Sequence, residues 1–505
     1  MTATIESPTS TGPATPTFES LNPANGDVVG TYPIASKADV DAAVARAREA
    51  ADWWGNLTFK ERAEFLLTWR SVITRRIAQL ADVSHLETGK PHSDAQLEIV
   101  LAIDHIAWAA KHAKKVLGSQ KVKSGMLMAN QASTVEYKPL GVVGVIGPWN
   151  YPVFTPCGSI AYALAAGNAV VFKPSEYTPG VGQWLADTFT EVVHGRPVFQ
   201  VVTGLGDTGN SLCTSGVNKL AFTGSGATGK KVMAACATNL TPVIIEAGGK
   251  DALIVDEDAD LAKAAEGALW SGLANAGQTC IGTERVYVHE KVFDKFMAEI
   301  TEQAKELRAG SDPEAKIGPI TMPSQIGIIK SHIDDAIAKG ANVVMGGSDA
   351  VGDRFVQPTI LTHVPENSTE ITDETFGPTL AINPVKSMDE AIELTNATRY
   401  GLAGSVYAKK DGVAIARRIR SGMTSVNAVT AFAGVPGLPF GGVGESGFGR
   451  IHGPDGLKEF TYAKAITRQR MKPLMNLTSF ARDAKTDNKV ATMITMMHGG
   501  KKTLK

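Results

Sequence analysis

Cysteine is scarce: Cys157, Cys213, Cys236 and Cys280 are the four in 505 residues, with no C-x-x-C pair and no histidine cluster beside them. That spacing excludes a disulfide scaffold and the usual zinc sites, so no metal is expected and reduced thiols in a cytoplasmic setting are. Charge of one sign is lacking too. Fifty basic against 51 acidic side chains, a net charge of −1, leave no field to attract nucleic acid, and none is expected as a partner. No run reaches the roughly 18 uninterrupted apolar residues of a membrane span. The opening MTATIESPTSTGPATPTF has neither a basic start nor an apolar stretch, so 1–17 reads as a disordered arm and not as a signal peptide.

The length is too great for one compact core and calls for two or three domains. Ser36-x-x-Asp39 and Thr58-x-x-Glu61 have the form of helix starts, each followed by apolar residues on one helical face, and the first 120 residues are expected to be mostly helical. From Gly141 short apolar runs recur at Val142–Ile146, Ala169–Phe172, Val198–Val202, Lys219–Phe222 and Val243–Ile245, alternating with helical stretches. This rhythm predicts an α/β fold with a five-stranded, parallel, Rossmann-like sheet. A second α/β block follows Asp251, and GVPGLPFGGVGESGFGR after residue 433 reads as a loop lining something. The last 35 residues carry seven basic and two acidic side chains and several methionines. An amphipathic helix there fits a solvated or partner-packed tail better than a membrane-surface anchor.

Two motifs carry chemistry. Gly224-Ser225-Gly226-Ala227-Thr228-Gly229 matches G-x-G-x-x-G between a strand and a helix, a place for a dinucleotide pyrophosphate. That rule looks for an acidic ribose ligand about 20 residues on, and by spacing alone Glu246 takes that job. In Asn275-Ala276-Gly277-Gln278-Thr279-Cys280 a single cysteine in a polar loop fits a nucleophile as well as it fits a small buried hydrophobe. Neighbouring N–H groups or a base would raise its thiolate fraction.

Seven segments together resemble the aldehyde dehydrogenase superfamily: GVVGVIGPWNYP (141–152), AGNAVVFKPSEYTP (166–179), LAFTGSGATG (220–229), EAGGKD (246–251), NAGQTCIGTERVYV (275–288), ETFGP (374–378) and PFGGVGESGFGR (439–450). They stand in the family's order across nearly the whole chain. The resemblance implies Cys280 as nucleophile, Glu246 as general base and Asn150 as the oxyanion-stabilising amide, acting with the Cys280 N–H. For the cofactor it implies Lys173 and Glu176 at the adenosine ribose, Trp149, Gly224 and Ser225 at the pyrophosphate, and Glu374 and Phe376 on the nicotinamide-ribose side. Glu246 thereby moves from ribose ligand to base, and Glu176 takes the ribose. The family's Leu in E-L-G-G-K is Ala247 here.

The implied organisation is a disordered arm at 1–17, an NAD-binding domain at 18–123 and 142–248, and a catalytic domain at 249–446. A small β oligomerisation arm follows at 124–141 and 459–471, then a C-terminal tail at 472–505. The implied activity is oxidation of an aldehyde to a carboxylic acid through a thioester on Cys280, hydrolysed by water. NAD is preferred, because the Glu176 carboxylate repels a 2′-phosphate, and NADP is the second option. Phe154, Trp270 and Phe432, with no arginine in their segments, point to a hydrophobic aliphatic or aromatic aldehyde. Succinic semialdehyde is the alternative. A CoA-acylating relative, which generally lacks the base glutamate, and a non-catalytic protein reusing the fold fit less well. A homo-oligomer, dimer or tetramer, is expected.

Overall fold

Both expected helix starts exist in the computed structural model, which describes residues 16–500 except 474 and 476. Ser36 and Asp39 form a capping box that opens the helix Lys37–Asn56, and Thr58 and Glu61 form another ahead of Phe59–Arg75. Each satisfies two N–H groups that the first helical turn leaves without partners. A two-stranded hairpin, Thr17–Leu21 with Val28–Pro33, precedes them. The disordered arm expected at 1–17 thus ends inside a strand, and 1–15 lie outside the described residues.

The chain divides into two compact units, 1–117 with 138–462 and 118–137 with 463–505. Within the first unit lie two sheets. One runs, in spatial order, Gly447–Phe448, Val243–Ala247, Lys219–Gly224, Val142–Ile146, Ala169–Lys173 and Phe199–Val201. The five strands read from the sequence are there and parallel. Gly447–Phe448 adds a sixth, antiparallel edge strand beside Val243–Ala247. That strand is two residues long inside the glycine-rich passage read as loop, too short to leave a period-2 signal. Val142–Ile146 lies between the strands that follow it and those that come later, so the order reverses there. Ligands in open α/β sheets bind beyond the strand ends at such a reversal, and Trp149 and Asn150 follow directly.

The other sheet has seven strands, ordered Asn342–Met345, Thr359–Thr362, Thr379–Val385, Thr283–His289, Asp251–Val255, Gly404–Tyr407 and Ser425–Val426. Its pairs are parallel except the first. Thr283–His289 and Asp251–Val255 are buried along their whole length, as continuous apolar strands covered on both faces must be. Helix Leu261–Leu273 packs on it through Ala264, Ala265, Ala268 and Leu269, and leaves Trp270 47 % exposed. In the second unit, Gln120–Val122 pairs antiparallel with Gln131–Pro139 and Thr461–Gln469 completes a three-stranded sheet. The tail holds one helix, Ala484–His498.

Candidate active site

Glu246 is the fourth residue of its strand, paired to Thr223 on one side and Gly447 on the other. Its side chain is 2 % exposed, and neither carboxylate oxygen has a hydrogen-bond partner among the described residues. Burial raises its pKa to about 7, against smaller downward effects of the neighbouring Cys280 and Thr223. An unpartnered buried carboxylate costs folding free energy. One poised near neutrality beside a thiol is a proton acceptor in waiting.

Cys280 stands at the end of a strained loop. Asn275, Ala276 and Gly277 have φ of +53°, +56° and +71°, three consecutive left-handed residues, each non-glycine one costing about 1–2 kcal/mol. Glycine is required at 277, because a Cβ there would lie 1.9 Å from the Gly377 carbonyl oxygen. The loop holds its shape through side chains. Gln278 donates to the carbonyls of Asn275 (2.8 Å) and Pro319 (3.2 Å) and accepts from the Thr321 N–H (2.8 Å). Burial first, then the Glu246 carboxylate, push the Cys280 thiol well above its ordinary pKa. Cys280 thus sits as a thiol beside the Glu246 carboxylate.

Asn150 closes the site. Its side-chain amide donates to the Gln278 carbonyl at 2.8 Å, which commits one of its two N–H groups and leaves the other for a ligand. Its own carbonyl accepts from Lys90 Nζ (2.6 Å) and Asn275 Nδ2 (3.1 Å). Lys90 and Glu98 form a fully buried ion pair at 2.8 Å, and Glu98 also accepts the N–H groups of Val153 and Phe154 at 2.7 and 3.0 Å. This pair, which fastens the segment after Asn150, escaped the sequence reading. One signal was available: Glu98 falls on the buried stripe Ala95, Ile99, Ala102 and Ile106 of helix His92–Leu117. A charge on an apolar stripe needs a buried partner. Lys90→Met is expected to destabilise the protein by about 3–5 kcal/mol in urea unfolding, the usual cost of stranding one member of a buried pair. Loss under about 1 kcal/mol would mean the pair is dispensable.

A second buried pair escaped notice for the same reason. Lys250 meets Glu284, and Glu284 accepts the N–H groups of Thr375 (2.9 Å) and Phe376 (2.9 Å). It pins the ETFGP loop, in which Phe376 is left-handed at φ +51°. Trp149 meets Phe376 edge-on with centroids 5.6 Å apart. Glu374 accepts from the Gly249 N–H at 3.2 Å and occupies the space a side chain at Gly248 would need, with a Cβ there only 1.8 Å from its Oε1.

The ten residues that the resemblance assigns to catalysis and cofactor binding line one cleft of about 790 Å³: Cys280, Glu246 and Asn150 with Trp149, Lys173, Glu176, Gly224, Ser225, Glu374 and Phe376. Ser225 caps helix Gly226–Ala237 by accepting from the Thr228 N–H, so the helix N-terminus faces the cleft wall. Lys173 reaches Glu176 at 3.7 Å. Phe154 and Phe432 are buried, while Trp270 is half-exposed, and none of the three lines the cleft. Phe154 joins an aromatic cluster with His105, Phe440 and His452.

Known proteins agree with this geometry. The profile of the aldehyde dehydrogenase family matches residues 11–466. A protein of Mycolicibacterium smegmatis, provisionally named succinate-semialdehyde dehydrogenase (NADP(+)), is 39 % identical over 453 residues, 88 % of this chain and 87 % of its own. The 4,4′-diapolycopene aldehyde oxidase of a Methylomonas species is 35 % identical over 476 residues, 94 % of this chain and 88 % of its own. Among solved structures, an NAD-dependent aldehyde dehydrogenase from Sinorhizobium meliloti superposes with a TM-score of 0.87 at 34 % identity, covering 92 % of this chain and 93 % of its own. With the match running through both sheets and every motif of the cleft, the chain belongs to the aldehyde dehydrogenase family.

Proposed function

We propose that this enzyme oxidises an apolar aldehyde to its carboxylic acid by hydrolytic, not CoA-dependent, turnover of a thioester on Cys280. The carrying observation is the Glu246 carboxylate, buried, unpartnered and next to the thiol. Cys280 Sγ attacks the carbonyl carbon as Glu246 takes the thiol proton. The free N–H of Asn150 Nδ2 and the Cys280 N–H hold the oxyanion, a donor of this kind being worth about 10²–10³ in rate. A bound nicotinamide supplies the hydride acceptor that these residues lack. Glu246 then releases the thiol proton to solvent; water attacks the Cys280 thioester as Glu246 takes a proton from that water, and the sulfur leaves and regains the proton as the thiol.

The cleft fits the dinucleotide. Lys173 and Glu176 would hold the adenosine ribose, Trp149, Gly224 and Ser225 the pyrophosphate at a helix N-terminus, and Glu374 and Phe376 the nicotinamide ribose. The Glu176 side chain, 41 % exposed, stands where a 2′-phosphate would meet a carboxylate, so we read NAD as preferred over NADP. kcat/KM is expected to favour NAD by at least about tenfold and Glu176→Gln to narrow the gap. Equal values with both cofactors in the wild type would refute the preference.

We read the substrate as an aliphatic or aromatic aldehyde, and the name of the Methylomonas relative favours a strongly apolar one. The name of the mycobacterial relative is the observation favouring succinic semialdehyde and NADP. Rates on hexanal, benzaldehyde and succinic semialdehyde separate these readings, and acyl-CoA formation from added CoA would overturn the hydrolytic one. We assign 18–123 with 142–248 to cofactor binding, 249–446 to catalysis, and the strands at 124–141 and 459–471 to pairing of subunits in a dimer or tetramer. A cytoplasmic location completes the reading.

A further inference from the structure

The segment 471–505 is where the chain's charge concentrates. It holds seven of the 50 basic and two of the 51 acidic side chains, a net +5 against −6 for all the rest. Helix Ala484–His498, opened by Asp483 accepting from the Thr486 N–H at 2.8 Å, lies within it. Val490, Met493, Ile494 and Met497 recur at i, i+3, i+4 and i+7 and make one apolar stripe, with Lys485 and Lys489 four residues apart along its flank. No residue of this helix is buried. Met496 is 80 % exposed, and Phe480, just ahead of the helix, is fully so. A helix of 15 residues is marginal in water without a surface to pack on. Along the stripe Val490, Met493 and Ile494 are half-buried and Met497 is 37 % exposed, and a partly exposed apolar stripe flanked by lysines suits a lipid interface. No helix among the described residues is long and apolar enough to cross a membrane.

We propose that this tail docks the enzyme on an anionic bilayer, the stripe lying at the headgroup boundary and the lysines facing lipid charge. Charge complementarity decides the occupant. The −6 on the remainder of the chain is spread over 470 residues, whereas an anionic leaflet offers a continuous negative field to every basic group beside it. Lys501, Lys502 and Lys505 extend the basic run past the helix. Docking stands independently of the substrate. Its consequence for turnover rests on the apolar-aldehyde reading, since a long-chain aldehyde dissolves in the bilayer and the tail would hold the enzyme at its source.

The test is flotation of the full chain with two sorts of vesicle, phosphatidylcholine alone and phosphatidylcholine with about one-third phosphatidylglycerol. Binding to the anionic vesicles is expected to exceed binding to neutral ones by at least about tenfold and to be released near 0.5 M salt, roughly where screening shortens to a few ångströms. Lys485→Glu with Lys489→Glu, and separately Met493→Ser with Ile494→Ser, are expected to cut anionic binding by about tenfold or more. Both should keep wild-type turnover of a short, water-borne aldehyde, which shows that they fold. Absent flotation, or equal flotation on both vesicles, overturns the proposal. So does a change of subunit number in the Ser variant without vesicle binding in the wild type, because a second copy would then be covering the stripe. If vesicles bind but no form oxidises a bilayer-dissolved long-chain aldehyde, docking stands and the substrate reading fails.

Discussion

Cys280→Ala is expected to lower aldehyde oxidation by about 10⁴-fold or more while leaving cofactor affinity within about threefold of wild type. The asymmetry follows from the layout. The residues assigned to the cofactor line the cleft from elements and loops of their own, and the sulfur adds nothing to their support. Without the sulfur, the carbonyl carbon stays trigonal and no electron-rich oxygen forms to expel the hydride. The loop should survive the change, because its left-handed course depends on Asn275, Gly277 and the Gln278 hydrogen bonds and not on the thiol. Retention of wild-type turnover by Cys280→Ala, with cofactor still bound, would sink the covalent route altogether.

Glu246→Gln separates the two halves of the reaction. Hydrolysis is expected to slow by about 10²–10⁴-fold, so that a fast burst of about one equivalent of reduced cofactor per subunit precedes a slow steady rate. The wild-type kcat should rise with pH through about 7, where Glu246 loses its proton, and that limb should vanish in the amide. Stability must run the opposite way. Because burial raises the folded pKa above the unfolded one, the folded state binds this proton more tightly. Its contribution is therefore complete below the unfolded pKa, near 4.5, and is lost as pH rises to about 7. The loss at neutral pH and above is about 3 kcal/mol on the usual conversion. Glu87 and Asp251, also raised by burial, to about 7 and about 8, act in the same direction, so the comparison with Glu246→Gln is the measurement. The gap in Tm between variant and wild type should widen, in the variant's favour, from pH 5 to pH 8. A pH-independent gap, or a steady state with no burst, would remove Glu246 from the role of base.

The parallel strands were legible because continuous apolar runs between helices have few other meanings. The cleft residues were legible because each sits in a motif at a strand end. What stayed hidden was whatever the chain assembles across long separations. Lys90 and Glu98 are eight residues apart, but their common target, the segment following Asn150, is about 50 residues farther on. Glu284 reaches Phe376 across 92 residues. Neither partnership leaves a periodic trace. At Glu246 two readings part: counting from the glycine motif gives it to a ribose, and the full set of motifs gives it to the sulfur, beside which its carboxylate lies. The thiol's raised pKa was equally invisible, being a product of three-dimensional burial.

The antiparallel edge strand Gly447–Phe448 sets a schedule for biosynthesis. Glu246 is flanked by Thr223, only 23 residues earlier, and by Gly447, 201 residues later. As the chain leaves the ribosome N-terminus first, the strand carrying Glu246 can pair with Lys219–Gly224 at once but must keep its other edge open until residue 447 has been made. An open edge of apolar strand is a place for wrong partners. Folding intermediates stalled before residue 447 should therefore be the ones that demand chaperone shelter, and catalytic competence should be among the last properties a nascent molecule acquires.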